Sequence, residues 1–372
     1  MADKIRVLQV TGSLRIGGLE TVALNLYRFC DRSKYSFDYL VYGDTVEPLE
    51  AIVEELGGRV FHVPYPHKGM SAYLKEMKKV MREYGPYDVV HAHSLFNSGL
   101  VMKAAKDMKI PVRISHAHSD RRKTKTPFPR NLYNSWMRFL INRHTTQKVA
   151  CSEGAGKYLY QKQYDENVYI MRNGVHTDHF KFDPQKRMKI KKEFGWENQK
   201  IVGHIGRLAE VKNQKRIIQV FANAYQKDPS LRLLIAGDGD LRETLQEQIN
   251  SLGLSNVAVL AGTRTDIDSL LSAFDVYVMP SFYEGVSISL IEAQTSGVHC
   301  LVSSNAAAKE TRITDCINVL ELSDSDDVWA ERMLQLANKA RIVDSAEKVK
   351  ENGYDIVEIV SNAVLLYGGE ND

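Results

Sequence analysis

Paired cysteines are missing from this sequence: its four, Cys30, Cys151, Cys300 and Cys316, stand far apart and form no Cys-x-x-Cys. That argues against a zinc knuckle or a disulfide scaffold and points to a reducing compartment, the cytoplasm. Long apolar runs are missing too, none approaching the roughly 20 residues that cross a bilayer. The opening MADKIRVLQVTGSLRIGG carries charge inside its first apolar run, so neither a secretion signal nor a membrane span is expected. An excess of charge of one sign is also absent. A formal net charge of +3 over 372 residues is too small to imply nucleic acid as the main partner, so any basic surface must be local. No repeat of about 20–50 residues and no low-complexity tract interrupts the chain.

What is present is an alternation of short β-branched runs with amphipathic stretches. IRVLQVTG, FDYLVYG, RVFHVP, DVVHAHS, VRISHAH and KVACSE are followed by IVGHIGRL, LRLLIAGDG, VAVLAG, DVYVMPS and VHCLVSS. Many of these runs are apolar on both faces, as strands between two helical layers must be, which predicts open parallel sheets in an α/β fold. LETVALNLYRFCDR, SAYLKEMKKVMREYG and DLRETLQEQINSLG read as helices between them. A chain of this length exceeds one core, and the series runs twice, separated by the turn-rich MRNGVHTDHFKFDPQKRMK. The expected domains are 1–172 and 173–354, with a junction near 171–180; the sequence alone does not decide where the last helix, about 355–367, packs.

In open α/β sheets, ligands bind at the carboxyl ends of strands. Gly17 and Gly18 follow the first strand and open a helix, where free N–H groups favour an anion; the missing GK[ST] excludes a P-loop, and a plain tight turn is an equal reading. In GHIGRLAEVKNQ, Arg207 and Lys212 follow a strand, with Gly203 and Gly206 permitting close backbone approach. Two cations at such a turn suit a diphosphate, though a solvated basic turn is the alternative. The acids of AGDGDL are expected to cap the next helix rather than hold a metal, while Gly237 and Gly239 would let a base or phosphate approach. Two His-x-His pairs, His91/His93 and His116/His118, end consecutive strands, each pair on one face. They could ligate a metal as in a hydrolase, pack in the core, or touch a sugar or phosphate.

The stretch YEGVSISLIEAQTSG carries Glu284 and Glu292 with no lysine or arginine nearby in sequence to pair with either. Ser287 is the expected N-cap of the helix that holds Glu292. Glu292 is surrounded by Ile288, Leu290, Ile291 and Ala293, and a buried carboxylate needs a hydrogen-bond donor that ligand hydroxyls could supply.

Together these residues resemble the retaining GT-B glycosyltransferases of sequence family 4, on the joint order of Gly17-Gly18, VVHAHS, NGVHTDHF, GRLAEVKNQ, AGDGDLR and EGVSISLIE. The resemblance is strongest to bacterial enzymes of capsular, exopolysaccharide and cell-wall glycan synthesis. It implies two Rossmann-like domains facing a central cleft, with the last helix crossing back onto the first. It also implies a nucleotide-sugar donor, usually UDP-linked, as substrate, and no metal or other cofactor. Carried over, Arg207 and Lys212 stabilise the diphosphate and the leaving-group charge. Gly17 and Gly18 donate backbone hydrogen bonds to the phosphates, Glu292 takes the ribose hydroxyls, and Glu284 contacts the sugar. His118, or His116, supports the donor sugar. Gly206, Gly237, Gly239, Thr263, Arg264, Gly285, Val286 and Ser287 frame the nucleotide sugar. Departures are His299 where proline is usual and three alanines in SSNAAAKET. The basic, aromatic segment DRRKTKTPFPRNLYNSWMRFLINRH, with Arg121, Arg122 and Lys123 at its start, suits docking on an anionic inner membrane face near a saccharide or lipid-linked acceptor. A metal-dependent hydrolase and a non-catalytic sugar-binding protein are the competing classes.

Overall fold

The computed structural model describes residues 4–15, 17–119, 128–307 and 311–368. Arg121, Arg122 and Lys123 lie outside the described residues. Two compact units emerge, one of residues 1–173 with 356–372, the other of residues 174–355.

The first unit is built on a seven-stranded sheet of β1 (Ile5–Val10), β2 (Tyr35–Tyr42), β3 (Val60–Val63), β4 (Val89–Ala92), β5 (Val112–Ala117), β6 (Gln147–Ala150) and β7 (Tyr169–Ile170). Their order is β3-β2-β1-β4-β5-β6-β7, every pair parallel. The second carries β8 (Lys200–Ile205), β9 (Leu231–Ala236), β10 (Ala258–Gly262), β11 (Val276–Met279), β12 (His299–Ser303) and β13 (Ile317–Leu320), also parallel, in the order β10-β9-β8-β11-β12-β13. Both are doubly wound Rossmann orders, in which the chain switches direction across the sheet between the first and fourth strands.

The two-sided burial read from the sequence is visible in the second core. Val202, Leu233, Ile235, Val276 and Val278 pack on one face with Ile217, Phe221, Leu245 and Trp329. The alternate positions Ile201, Leu234, Tyr277 and Met279 face the opposite layer with Leu270 and Leu290. Gly203 belongs to this packing. A Cβ there would lie 2.1 Å from the Phe274 ring, so its small size serves the core and not a ligand's approach.

The C-terminal helix Ile356–Ala363 and the 3-10 turn Val364–Tyr367 belong to the first unit. Tyr367 is buried edge-on against Tyr35 and Phe37 at 6.2 and 6.0 Å between ring centroids.

Candidate active site

In the second unit, the loops leaving β8 and β11 meet at the switch point and are laced together. Asn213 takes the left-handed conformation (φ 56°), which asparagine tolerates, and its Nδ2 donates to the Pro280 carbonyl at 3.1 Å. Phe282 N–H donates to the Val211 carbonyl at 2.9 Å. Lys212 Nζ then bonds Glu284 Oε1 at 2.7 Å, with side chains only 19% and 12% exposed. This corrects the reading of Glu284 as a carboxylate with no nearby cation. Its partner is 72 residues away in sequence and adjacent in space. Arg207, on the same β8 loop, is exposed, and among the described residues its guanidinium has no hydrogen bond or ion pair.

Beneath that loop lies His204, fully buried, with Nδ1 2.8 Å from the Val278 carbonyl. Burial lowers its pKa to about 4, so the ring is neutral. Gln214 Nε2 donates to the Arg207 carbonyl at 2.8 Å and lies 3.3 Å from His204 Nε2. The backbone that carries Arg207 is therefore fixed while its side chain is exposed.

Glu292 sits in the helix Ile288–Thr295, half-buried, with no hydrogen bond to its carboxylate among the described residues. Burial, then the nearby Asp268 carboxylate, pushes its pKa up to about 7. Ser287 precedes this helix as expected, but its hydroxyl caps no backbone N–H. It turns instead to Ser289 Oγ at 3.2 Å and Met279 Sδ at 3.7 Å, because the side chain is buried against β11. Val286 packs with Val175, Ile291 and Tyr354, and Gly285 is exposed with open space where a Cβ would stand.

The glycine turns are occupied by the chain itself. A Cβ on Gly237 (φ 138°) would fall 2.0 Å from the Gly206 carbonyl oxygen, and one on Gly239 (φ 155°) 2.5 Å from that of Leu208. Both glycines thus let the β9 exit close on the β8 exit. Gly206 itself lies over His204 and Lys212, with a Cβ position 3.2 and 3.6 Å from their side chains. The expected acidic cap is absent: Leu241 precedes the helix Arg242–Ser251, while Asp238 accepts from Gly239 N–H at 2.8 Å. A two-residue glycine turn brings that N–H closer than the helix end. Thr263 is exposed, but the Arg264 guanidinium is engaged by Glu193 at 2.5 and 3.0 Å and by Asp266 at 2.7 and 2.8 Å.

In the first unit, Gly17 and Gly18 open the helix Gly18–Phe29, where Glu20 in the first turn already presents a carboxylate, hydrogen-bonded to Ser13 Oγ at 3.0 Å. The two His-x-His pairs form one buried cluster at the ends of β4 and β5, with the rings of His116 and His118 3.9 Å apart and those of His91 and His93 4.3 Å apart. Burial holds His91 and His118 near a pKa of about 3 and lowers His93 and His116 well below the usual range. Ring nitrogens of His91, His93 and His116 lie within 4.8 Å of one another, a spacing a metal could exploit. The residues do not fit one. Both nitrogens of His91 are engaged, by Tyr367 OH at 2.9 Å and His116 at 3.3 Å, and both of His93, by His118 at 2.8 Å and Gln9 at 2.6 Å.

Sequence reasoning did not single out Gln9, His204, Gln214, Tyr277 or Tyr367. Their signal is weak in sequence because each acts on a partner brought close only by the fold; Tyr277 OH, for instance, bridges the Ile205 carbonyl at 3.3 Å and Ser289 Oγ at 3.1 Å.

Family models match both units: Glycosyl transferases group 1 over residues 186–356 and Glycosyltransferase Family 4 over residues 16–179. The chain is 32% identical over 370 residues to EpsF of Bacillus subtilis (strain 168), a glycosyltransferase by name, covering 97% of this chain and 96% of that one. It is 24% identical over 385 residues to the UDP-Gal:alpha-D-GlcNAc-diphosphoundecaprenol alpha-1,3-galactosyltransferase of Escherichia coli, covering 98% and 97%. Among solved structures, Anabaena Alr3699/HepE in complex with UDP and glucose matches with a TM-score of 0.78 at 20% identity, covering 97% of this chain and 98% of that one.

Proposed function

The chain belongs to the family 4, group 1 glycosyltransferases and has the two-domain GT-B fold, and from that premise we propose that it is a retaining, metal-independent enzyme using a UDP-sugar donor. Its acceptor in this reading is a saccharide or lipid-linked glycan of bacterial surface polysaccharide synthesis. The observation that carries the proposal is Arg207, exposed and without a partner among the described residues, on the same β8 loop as the Lys212 of the Lys212–Glu284 pair. A free guanidinium on a fixed backbone offers a fork to phosphate oxygens. Lys212 supplies a second charge 2.7 Å from the carboxylate that orients it.

In the proposed reaction, the acceptor O–H attacks the anomeric carbon as the bond from that carbon to the diphosphate oxygen breaks. The acceptor proton passes to the departing phosphate oxygen, and UDP leaves. Arg207 and Lys212 stabilise the charge that grows on the leaving group, the electrostatic contribution that usually dominates such catalysis. Glu284 faces the sugar. Glu292, with no hydrogen-bond donor among the described residues, accepts from the ribose hydroxyls. The UDP and glucose in the HepE complex and the UDP-Gal and diphosphoundecaprenol in the Escherichia coli relative's name support the donor and acceptor classes.

A thermal-shift panel of UDP-, GDP- and ADP-sugars tests the donor, since a ligand that binds only the native state raises its apparent stability. UDP-sugars are expected to stabilise, with loss of the effect in Arg207→Ala; stabilisation by another nucleotide alone would sink the UDP assignment. Release of UDP on adding acceptor separates an enzyme from a sugar-binding protein, and turnover that survives a chelator separates it from a metal hydrolase.

The same reading seats the enzyme on an anionic membrane face. In the helix Phe128–His144, Met137, Leu140 and Ile141 are buried, whereas Phe128, Leu132, Trp136 and Phe139 are 82, 67, 44 and 59% exposed. At 3.6 residues per turn those four fall within an arc of about 80°. Exposed Arg130 and Arg143 lie on the same helix. An apolar stripe with a cation such as Arg143 on the same side is the pattern of an interfacial helix. Leu132→Asp with Trp136→Asp is expected to abolish sedimentation with phosphatidylglycerol vesicles, and unchanged sedimentation would end the idea. No helix among the described residues is long and apolar enough to cross a membrane.

A further inference from the structure

The histidine cluster of the first unit is wired to one side chain, Gln9, which is fully buried on β1. From Gln9 two chains of hydrogen bonds run outward. On one side, Gln9 Oε1 lies 2.6 Å from His93 Nε2, and His93 Nδ1 lies 2.8 Å from His118 Nε2. On the other, Gln9 Nε2 donates to Tyr367 OH at 3.4 Å, that hydroxyl lies 2.9 Å from His91 Nδ1, and His91 Nε2 lies 3.3 Å from His116 Nδ1. Each chain ends on a nitrogen that is buried and has no partner among the described residues, His118 Nδ1 in the first and His116 Nε2 in the second.

A neutral imidazole has one N–H and one lone pair, so each contact fixes the next. Gln9 Oε1 accepts, so His93 carries its proton on Nε2 and accepts at Nδ1. His118 then donates from Nε2 and ends the chain with a bare lone pair on Nδ1. Along the other chain, Gln9 N–H donates to Tyr367, whose hydroxyl donates to His91 Nδ1. His91 donates from Nε2 to His116 Nδ1, and the chain ends with an N–H on His116 Nε2. All four rings are in the Nε2–H form. Turning the Gln9 amide over reverses every bond and puts all four in the Nδ1–H form. In either case one terminal nitrogen donates and the other accepts, because an amide offers one of each.

We propose that Gln9, acting through Tyr367 and His91 on one side and His93 on the other, is a positioning residue that makes His116 and His118 an obligate donor–acceptor couple. The group complementary to such a couple is a hydroxyl, which both donates and accepts. Thr11 Oγ1, beyond β1 and two residues on from Gln9, is a further buried hydroxyl without a partner among the described residues. A phosphate, which offers only acceptors when fully ionised, and a metal, which needs only lone pairs, each satisfy half of it. The identification of that hydroxyl as a saccharide's rests on the glycosyltransferase reading; the wiring does not.

Long-range proton–nitrogen NMR of histidine-labelled, full-length, ligand-free protein reads the tautomers directly. The wild type is expected to show four rings of one tautomer. Gln9→Glu replaces the amide by a carboxylate that only accepts, so Tyr367 must now donate to it. His91 and His116 then switch to Nδ1–H, while His93 and His118 stay Nε2–H, a two-and-two pattern that generic damage to packing would not produce. Should Gln9→Glu fail to fold, Tyr367→Phe cuts the same chain. His91 and His116 are then expected to lose their single tautomer while His93 and His118 keep theirs. Mixed tautomers in the wild type, or four unchanged rings in either variant, would overturn the proposal. Because no nucleotide or sugar is added, that outcome is independent of whether the donor assignment stands.

Discussion

The two units share a strand order and use its switch point in opposite ways. In the second, the exits of β8 and β11 carry charge: Arg207 exposed at the surface and Lys212 bound to Glu284. In the first, the exits of β4 and β5 carry three buried rings and the partly buried His118, all held neutral by desolvation and joined through Gln9 and Tyr367. The fold supplies the place where strand ends converge, and the residues at those ends decide what the place can do. An ion pair fixes a cation by Coulomb attraction. A chain of neutral rings fixes proton positions instead, with no net charge to desolvate.

The largest test of that contrast removes charge from the second unit. Lys212→Ala and Arg207→Ala are each expected to lower kcat with a UDP-sugar by roughly 10²–10³-fold, as for a single lost transition-state donor. Lys212→Ala also leaves Glu284 almost buried without its partner, at a cost of about 3 kcal/mol in denaturant titration. Adding Glu284→Gln in that background should recover part of the stability and none of the turnover. If the double variant stays as unstable as the single, the pair does not govern the loop.

A middle-sized effect is expected where backbone meets backbone. Gly237→Ala puts a Cβ 2.0 Å from the Gly206 carbonyl at a φ of 138°, and should cost about 2–3 kcal/mol. Gly285→Ala, with nothing within 4 Å, should change the melting temperature little. Equal melting temperatures would show that the two strand exits are not locked together as described.

The parallel core was legible because burial on both faces leaves unbroken apolar runs, such as VVHA in β4 and VYVM in β11. β7 and β13 were not, being a two-residue strand and a half-buried strand, both at sheet ends, with too little apolar pattern to stand out. At the site, the charged residue types could be read but their pairing could not. Lys212 and Glu284 are 72 residues apart, and Gln9 and Tyr367 358 apart. Gly237 and Gly239 were recognisable as special, yet the atoms that require them are the chain's own carbonyls. Local rules failed at Ser287 and Asp238 for one reason. Each side chain found a partner nearer than the helix end it was expected to cap.

The smallest predicted effect is a pH dependence that isolates Glu292, the half-buried acid of the second unit. Its folded pKa of about 7 lies above the ordinary glutamate value of 4.5, so the folded protein holds the proton more tightly than the unfolded chain. Stability from this group is therefore fully present below pH 4.5 and lost as pH rises to about 7. Glu292→Gln should abolish that loss and melt higher than wild type above pH 7. Ribose hydroxyls donating to the carboxylate would favour its ionised form. UDP should then bind wild type more tightly as pH rises through 7, about tenfold for each unit by which binding lowers the pKa. Glu292→Gln should not show this rise. The ratio of the two affinities by calorimetry cancels the phosphate's own titration near pH 6. A ratio that stays flat from about pH 5.5 to 8.5 would remove Glu292 from the nucleotide and leave Arg207 and Lys212 as the binding charges of this unit.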